Sequence, residues 1–545
     1  MSQPDWAGTD RVLLHGGAIY SHASPFATAM LIEGDEIAWL GEESAARLHR
    51  DSADRVVDLA GALVTPGFVD AHVHATSTGL TLTGLDLSGT TSLAQALTLL
   101  ETRARDLRGG TVIGHGWDET RWPEGRPPTR EEIDRASWGS VVYLSRIDVH
   151  SAAVSSALVA TTPGVRDLAG FDPSGPLSRQ AHHAVRETAL GGIGAETRRR
   201  AHAVMREHAA SLGVVSMHEM AGPTISSEED LADLLTAADA VPGPLVVGYW
   251  GELASAGGIE RARDLGAIGV GGDLFIDGAI GSRTACLCEP YADAPETTGA
   301  RYLDADEVAA HVIAATGAGL QAGFHVIGDA ASDAVIEGFR QAAGRVGPAA
   351  LRGGAHRLEH AELLRDDHIA ALVEFGITAS MQPMFDGLWG GPGGMYDRRL
   401  GPERASTMNR FADLVSAGVL VAFGSDAPVT QVGPWAALRA AIHHSNPAQS
   451  ISARAAFSAH SRAGWRSIGD TAAGVISPGA PAHLAIWAAD EILVQTPDER
   501  VAGWSTDPRS GTPGLPALEP GAELPRCLRT IVAGRTVFDS ESLEP

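Results

Sequence analysis

The sequence predicts an α/β protein: a (β/α)8 TIM-like barrel with an insertion after its first strand, joined to a small β-sandwich domain formed by both chain ends. Three observations carry this. Through the middle of the chain, short apolar runs alternate with helical stretches, the pattern of parallel strands with crossover helices. Eight such runs can be counted: Phe68–His74, Val214–Glu219, Leu245–Trp250, Asp273–Asp277, Ala322–Val326, His356–His360, Ile377–Gln382 and Leu420–Asp426. The third observation is that strand-like runs of a different spacing gather at the two ends. The expected division is 1–66 with 470–545 as the composite small domain and 67–469 as the barrel, with 80–212 inserted.

In chain order, Arg11–Tyr20, Ala29–Gly41 and Arg55–Gly61 read as strands, with Gly34-Asp35 as a hairpin turn. Pro66-Gly67 then makes a turn into Phe68-Val69, the start of a buried strand. The insertion has strand-like pieces of its own, Thr111–His115 and Val141–Arg146. Ala201, Val204, Met205, His208 and Leu212 fall at helical spacing before the second strand, and Gly213 supplies the stop. After the eighth strand, His483–Trp487, Ile492–Gln495 and Thr530–Phe538 return to strand patterning, and the Pro/Gly-rich Ser505–Pro525 reads as a long surface loop.

Composition bounds the function. The 545 residues carry 41 Lys+Arg against 67 Asp+Glu, a net charge of −26. Nucleic acid and anionic membrane surfaces repel such a chain, which leaves a small molecule as the expected partner and is compatible with a homo-oligomer. Three cysteines cannot build a disulfide framework. The N-terminus lacks a signal-peptide pattern and no apolar run is long enough to span a bilayer, so a cytoplasmic location is expected. Every basic residue of the Lys+Arg total is arginine. Schiff-base chemistry and lysine-derived metal ligands are therefore excluded.

Residues two apart on a strand share a side, so His72 and His74 project together and can hold one divalent ion from adjacent positions. Taken alone, the pair is equally compatible with two hydrogen-bonded histidines. In a (β/α)8 barrel, however, catalytic groups gather where strands end. The ends of the eight runs carry His72 and His74, Glu219, Trp250, Asp273 and Asp277, His325, His360, Gln382, and Asp426. Histidine at three of those ends suits a borderline divalent ion such as zinc.

Pro66-Gly67-Phe68-Val69-Asp70-Ala71-His72-Val73-His74, Phe324-His325-Val326-Ile327-Gly328-Asp329, Arg357-Leu358-Glu359-His360-Ala361 and Phe423-Gly424-Ser425-Asp426-Ala427-Pro428 together resemble the metal-dependent amidohydrolase superfamily. Gly278-Ala279-Ile280-Gly281-Ser282-Arg283-Thr284-Ala285, Gly116-Trp117-Asp118 and Arg126-Pro127-Pro128-Thr129-Arg130 resemble its branch of N-substituted formamide deformylase and YtcJ-type hydrolases. The resemblance implies that His72, His74, His325 and His360 are metal ligands and that Asp426 is both ligand and proton shuttle. Two positions depart from the branch. Asp273 stands where many relatives have a lysine whose carboxylation bridges two metals, and Ser155 stands where asparagine is usual. With no carboxylated lysine available, one tightly held divalent ion, most readily zinc, is expected. A second ion is left open, with Asp273 as an added ligand.

The resulting expectation is a hydrolase that cuts a non-peptide carbon–nitrogen bond, of amide or N-substituted formamide type, through metal-activated hydroxide. Asp426 would move the proton, and His325 and His360 would complete the metal site or stabilise the tetrahedral intermediate. Trp117, Trp250 and Gln382 are candidates for substrate contact, as are Trp122 and Trp389, though each tryptophan suits core packing equally. His115, His150 and His218 read as structural histidines, Glu219 as an extra ligand or acceptor, Arg283 and Arg357 as anchors, and His443-His444 as packing. Two rival readings remain: a heterocyclic-base deaminase on the same rim, and a non-catalytic binding protein on a retained barrel.

Overall fold

Eight parallel strands form the central sheet of the computed structural model, which describes residues 4, 6–191, 193–489, 491–495, 504–505 and 513–543. In chain order they are β1 (Phe68–Val73), β2 (Val214–Ala221), β3 (Leu245–Trp250), β4 (Gly269–Val270), β5 (Gln321–Val326), β6 (Arg357–His360), β7 (Thr378–Met381) and β8 (Val421–Phe423). Each pairs in parallel with the next, and a bridge between Val73 and Ala427 brings β8 back to β1, so the barrel nearly closes. Period-two alternation divides β5: Phe324 packs outward, its ring 6.2 Å from Phe339 of the helix Asp329–Val346, which turns His325 inward.

The fourth strand is a correction. Asp273–Asp277 does not form it; Gly269–Val270 does, and Asp273 lies beyond its end. Gly271 and Gly272 have φ of +131° and +86°, and a Cβ on Gly271 would lie 2.2 Å from the Gly323 carbonyl oxygen. Only glycine allows this close, left-handed exit, which lifts Asp273 out of the strand and onto the rim. Phe275 touches β5 again through a single bridge to His325.

Between β1 and β2, strands Leu85–Asp86, Val112–Trp117, Val142–Arg146, Ser151–Val154 and Leu177–Ser178 form a separate five-stranded sheet. The helices Leu93–Leu107 and Arg179–Gly191 each pack on it through a core of their own. Ser155 caps the helix Ser156–Thr161 through the Leu158 amide and also accepts from the Val142 amide. The helix before β2 runs over Ala195–Ser211, and Gly213 ends it with φ +76°.

The terminal runs prove shorter than expected. Arg11–Tyr20 breaks at Gly16-Gly17 into Arg11–His15 and Ala18–Ile19. Ala29–Gly41 is the hairpin Ala29–Glu33 and Glu36–Gly41. Arg55–Gly61 holds only the strand Arg55–Asp58. Thr530–Phe538 is not one strand: it joins the end of Arg526–Val532 to most of Arg535–Asp539 through a turn at Ala533-Gly534, both of positive φ. One sheet is ordered Glu36–Gly41, Ala29–Glu33, Arg11–His15, Arg55–Asp58; another is ordered Ala18–Ile19, Leu63–Pro66, Leu484–Ala488, Arg526–Val532, Arg535–Asp539. Leu14, Ile32 and Val57 of the first share a core with Val64, Leu484 and Ile531 of the second. Within Ser505–Pro525, residues 506–512 lie outside the described residues. The rest is not simply surface loop: Leu515–Pro516 pairs with Ile492–Leu493, and Leu515 and Leu518 bury against the barrel core. Among the described residues no helix is long and apolar enough to cross a membrane.

Ending the chain after Gly479 would strip Leu484–Ala488 from Leu63–Pro66 and expose the shared core. Leu14, Ile32, Val57 and Val64 would lose the side chains that cover them, and full burial of each is worth about 1.5–3 kcal/mol. The shortened protein should be insoluble or melt far below the full chain. An unchanged melting curve would show that the strands from the two ends do not depend on each other.

Candidate metal centre

The rim residues are set by hydrogen bonds from below. His72 Nδ1 lies 2.9 Å from Glu359 Oε2 and donates to it, and His74 Nδ1 donates to the Met220 carbonyl at 3.1 Å. His360 Nδ1 donates to Gln382 Oε1 at 3.0 Å. All three imidazoles thus spend their Nδ1 protons on the scaffold and present Nε2 to the space above, the tautomer a metal ligand requires. Asp426 is fixed by its backbone: its amide donates to the His72 carbonyl at 2.8 Å, and Asp70 holds Ser425 through both amide and hydroxyl.

Two carboxylates face these nitrogens. Asp426 Oδ1 is 3.3 Å from His72 Nε2 and 3.2 Å from His74 Nε2. Asp273 Oδ2 is 3.2 Å from His74 Nε2, while its Oδ1 is 3.6 Å from Nε2 of both His72 and His360. His72 Nε2, Asp273 Oδ1 and His360 Nε2 are buried and have no hydrogen-bond partner. Three partnerless ligand atoms converging in one place fit a divalent cation and little else, since unsatisfied buried polar atoms are otherwise costly. Two groups have metal-binding spacing here, His72/Asp273/His360 and His72/His74/Asp426. They share His72, whose Nε2 has one lone pair and so can serve one ion.

The electrostatics agree with a site built for positive charge. Burial opposes protonation of His72 and His74, but Asp273 and Asp426 outweigh it, raising His72 well above the usual imidazole value and His74 to about 9. Burial likewise opposes ionisation of the two aspartates, and the facing histidines overcome it, holding both well below the ordinary carboxylate range.

Other expected residues fall differently. His325 belongs to neither metal-spaced group; its ring lies 4.4 Å from that of His360, and its Nδ1 is 3.7 Å from Asp277 Oδ1 without a hydrogen bond. Burial and then His360 push it down to about 3, so it stands as a neutral imidazole beside the ligands. Trp117, Trp250 and Gln382, expected to contact substrate, are placed as follows. Trp117 is buried in the core under the helix Leu93–Leu107 and donates to the Leu144 carbonyl. Trp250 lies in the barrel core and donates to Glu252. Both indoles found acceptors inside the fold, which sequence spacing does not reveal. Gln382 acts through His360 as its positioning partner. Trp122 is also core, whereas Trp389 lines a pocket with Ile280, Ile327, Phe385, Met395 and Val429, above His325, His360 and Asp426.

His115 and His218 are structural, bonded to Ser145 and the Pro428 carbonyl and to Arg357 respectively. His150 is not: it lines the cavity above the centre, with its ring 5.0 Å from that of His325. Glu219 accepts from the Ala75 amide, and burial raises it to about 7. Sequence reading missed Glu359. Its signal was a charged residue inside an otherwise buried strand, two places from Arg357 and therefore on the same face.

Residues 55–538 match the Amidohydrolase family. YtcJ from Bacillus subtilis (strain 168) is 28% identical over 476 residues, covering 79% of this chain and 83% of that protein. The N-substituted formamide deformylase of Arthrobacter pascens is 24% identical over 444 residues, covering 75% and 78%. An uncharacterized metal-dependent hydrolase from Pyrococcus furiosus superposes with a TM-score of 0.67 at 26% identity, over 87% of this chain and 98% of that one.

Replacing His72 or His74 with Ala should remove most bound metal while the circular dichroism stays native. Metal analysis of the purified protein should find one ion per chain, at a level indifferent to bicarbonate. Two tight ions per chain, both lost in Asp273→Asn, would make Asp273 a bridge between metals.

Proposed function

The chain belongs to the amidohydrolase family, and from that premise we propose that it hydrolyses a non-peptide carbon–nitrogen bond, of amide or N-substituted formamide type, in a small molecule. The observation that carries this reading is the meeting of His72 Nε2, Asp273 Oδ1 and His360 Nε2, all without partners, beside Asp426 at the foot of a pocket. A divalent ion held there by His72, His74, His360, Asp273 and Asp426, most readily zinc, would supply Lewis acidity to a water and to the substrate carbonyl.

The chain's own residues do the rest. Asp426 faces the centre from the end of β8 and takes the proton of the attacking water, then delivers it to the departing nitrogen. His325, neutral, offers an N–H to the oxygen on which charge develops. Asp273 orients the water through its second oxygen. Ile280, Ile327, Phe385, Trp389, Met395 and Val429 receive an apolar substituent of the substrate, and Phe385 stacks 5.9 Å from the His360 ring, keeping water from that side. The same reading takes 67–469 as the catalytic barrel with 80–212 inserted, and 1–66 with 470–545 as the small domain. It places the enzyme in the cytoplasm, alone or as a homo-oligomer, without nucleic acid or membrane.

Asp426→Asn keeps the size of the side chain but cannot accept the proton, so turnover should fall roughly 10²- to 10⁴-fold with the metal retained. The assay is a screen of N-substituted formamides and small amides beside aminopyrimidines. A loss smaller than about tenfold would assign the proton to another group. Turnover of aminopyrimidines alone would move the site to the deaminase reading, and neither turnover nor bound metal would favour a binding protein.

A further inference from the structure

Arg186, on the helix Arg179–Gly191, is only 7% exposed, and its guanidinium has no hydrogen-bond or ion-pair partner among the described residues. It is alone in this. Of the other buried arginines described, Arg130 and Arg206 bond backbone carbonyls, and Arg146, Arg357, Arg399 and Arg529 bond carboxylates. A guanidinium offers five donors in a planar fork, and at a cavity wall, with no protein acceptor, only water or a ligand can meet them. Left unmatched, such a group destabilises the fold unless something outside the chain completes it.

Its position says what. Arg186 and His74 are shared by two cavities. The inner one reaches His360, Asp273 and Asp426 and is walled by His150, His183 and Phe275. The outer one, about 240 Å³, runs past Thr76, Ser77 and Ile193 towards solvent. The carboxylates of these walls are committed elsewhere or lie at the mouth. Glu219 accepts from the Ala75 amide, Asp230 is held by Thr76 and His202, and Asp273 and Asp426 face the histidines. Glu187 and Glu229 are exposed. None of the six pairs with Arg186. On a chain of net charge −26, a bare buried cation beside the reaction centre is a local exception that favours an anion.

We propose that Arg186 binds a carboxylate carried by the substrate, so that the compound cleaved is an amide or N-acyl compound with a carboxylate on one side of the scissile bond and an apolar group on the other. The carboxylate lies in the fork of Arg186 where the two cavities meet, and the apolar group lies across the centre against Phe385 and Trp389. The term substrate rests on the hydrolase reading above; the anion site does not.

The test is calorimetric titration of zinc-loaded wild type, Arg186→Met and Arg186→Lys with 3-phenylpropanoate and with 3-phenylpropanamide, which share a shape and differ by one charge. Wild type should prefer the acid by about 10- to 100-fold, the range of a hydrogen bond to a charged group. Arg186→Met should lose that preference and Arg186→Lys should keep part of it. The melting temperature of Arg186→Met should hold or rise, because the guanidinium makes no hydrogen bond or ion pair to the rest of the described chain that its removal would break. A preference that survives in Arg186→Met would place the carboxylate on the metal and overturn the proposal. So would the absence of any preference in wild type, or a marked fall in melting temperature in Arg186→Met. An Arg186-dependent preference in a protein that turns over no N-acyl compound would sink the hydrolase reading and leave the anion site standing; turnover without that preference would sink the anion site alone.

Discussion

His72, the residue common to both metal-spaced groups at the rim, depends on a charge buried beneath it. Arg357 and Glu359 sit two residues apart on β6, wholly buried and bonded to each other. Arg357 also donates to the Ala71 carbonyl at 2.6 Å and to the Tyr249 hydroxyl at 3.1 Å, and contacts His218, so one guanidinium ties β6 to β1, β2 and β3 across the barrel. Burial alone would protonate Glu359; Arg357 first, with His72, reverses this and holds it at about 2. The ionised carboxylate then takes the Nδ1 proton of His72 and fixes which nitrogen that histidine shows to the rim. Breaking a buried pair of this kind costs about 3–5 kcal/mol, because the survivor is left uncompensated. The interior of this barrel is therefore an electrostatic foundation as well as a packed one.

The same logic repeats around the rim. Met220 does for His74, and Gln382 for His360, what Glu359 does for His72, while Asp70 anchors the turn that carries Asp426. Asp277 accepts from the amides of Cys286, Ile327 and Gly328, joining the segments after β4 and β5. The nitrogens and oxygens that position these groups are paired, and the partnerless Nε2 of His72 and His360 and Oδ1 of Asp273 lie in one place. His360 and Asp426 also carry positive φ, 70° and 53°, a strained backbone for residues with side chains that the surrounding bonds must hold. Strain and lone pairs meet at the same point, as expected where a fold stores energy for a ligand.

Much of the architecture was legible because the strands are buried on both faces and read as apolar runs bounded by turns. Six of the eight barrel strands lie within two residues of the expected positions, and the eighth ends three residues early, at Phe423, the usual uncertainty of an element boundary. The fourth misled because Asp273–Asp277 has an apolar centre, while the true strand is two residues long and ends in a glycine pair. Histidine spacing revealed His72 and His74 because strand geometry makes adjacency local. Glu359 and Arg186 were harder to see, since their meaning lies in who fails or manages to meet them across hundreds of residues. The tryptophans illustrate the opposite error: bulk suggests a pocket wall, but an indole N–H with a buried acceptor, as in Trp117, belongs to the core.

The work of the site divides along the chain. The strand ends of the barrel contribute the candidate metal ligands, with His72, His74 and His360 each pinned by a partner in the strands or the turns that follow them. The surfaces a substrate would touch come from elsewhere. His150, His183 and Arg186 come from the segment between β1 and β2, Ile280 from the segment after β4, and Phe385, Trp389 and Met395 from the helices after β7. These pieces have cores of their own, so a change of side chain there need not disturb the Arg357–Glu359–His72 chain. Selectivity can then vary while the chemistry is held constant, which is how one barrel accommodates many substrates. The arrangement also explains why an unpaired arginine is tolerable in Arg186 and would not be in Arg357. The first sits on a separately packed helix at a cavity, where a ligand or water can reach it. The second lies inside the barrel, where only the protein can answer its charge.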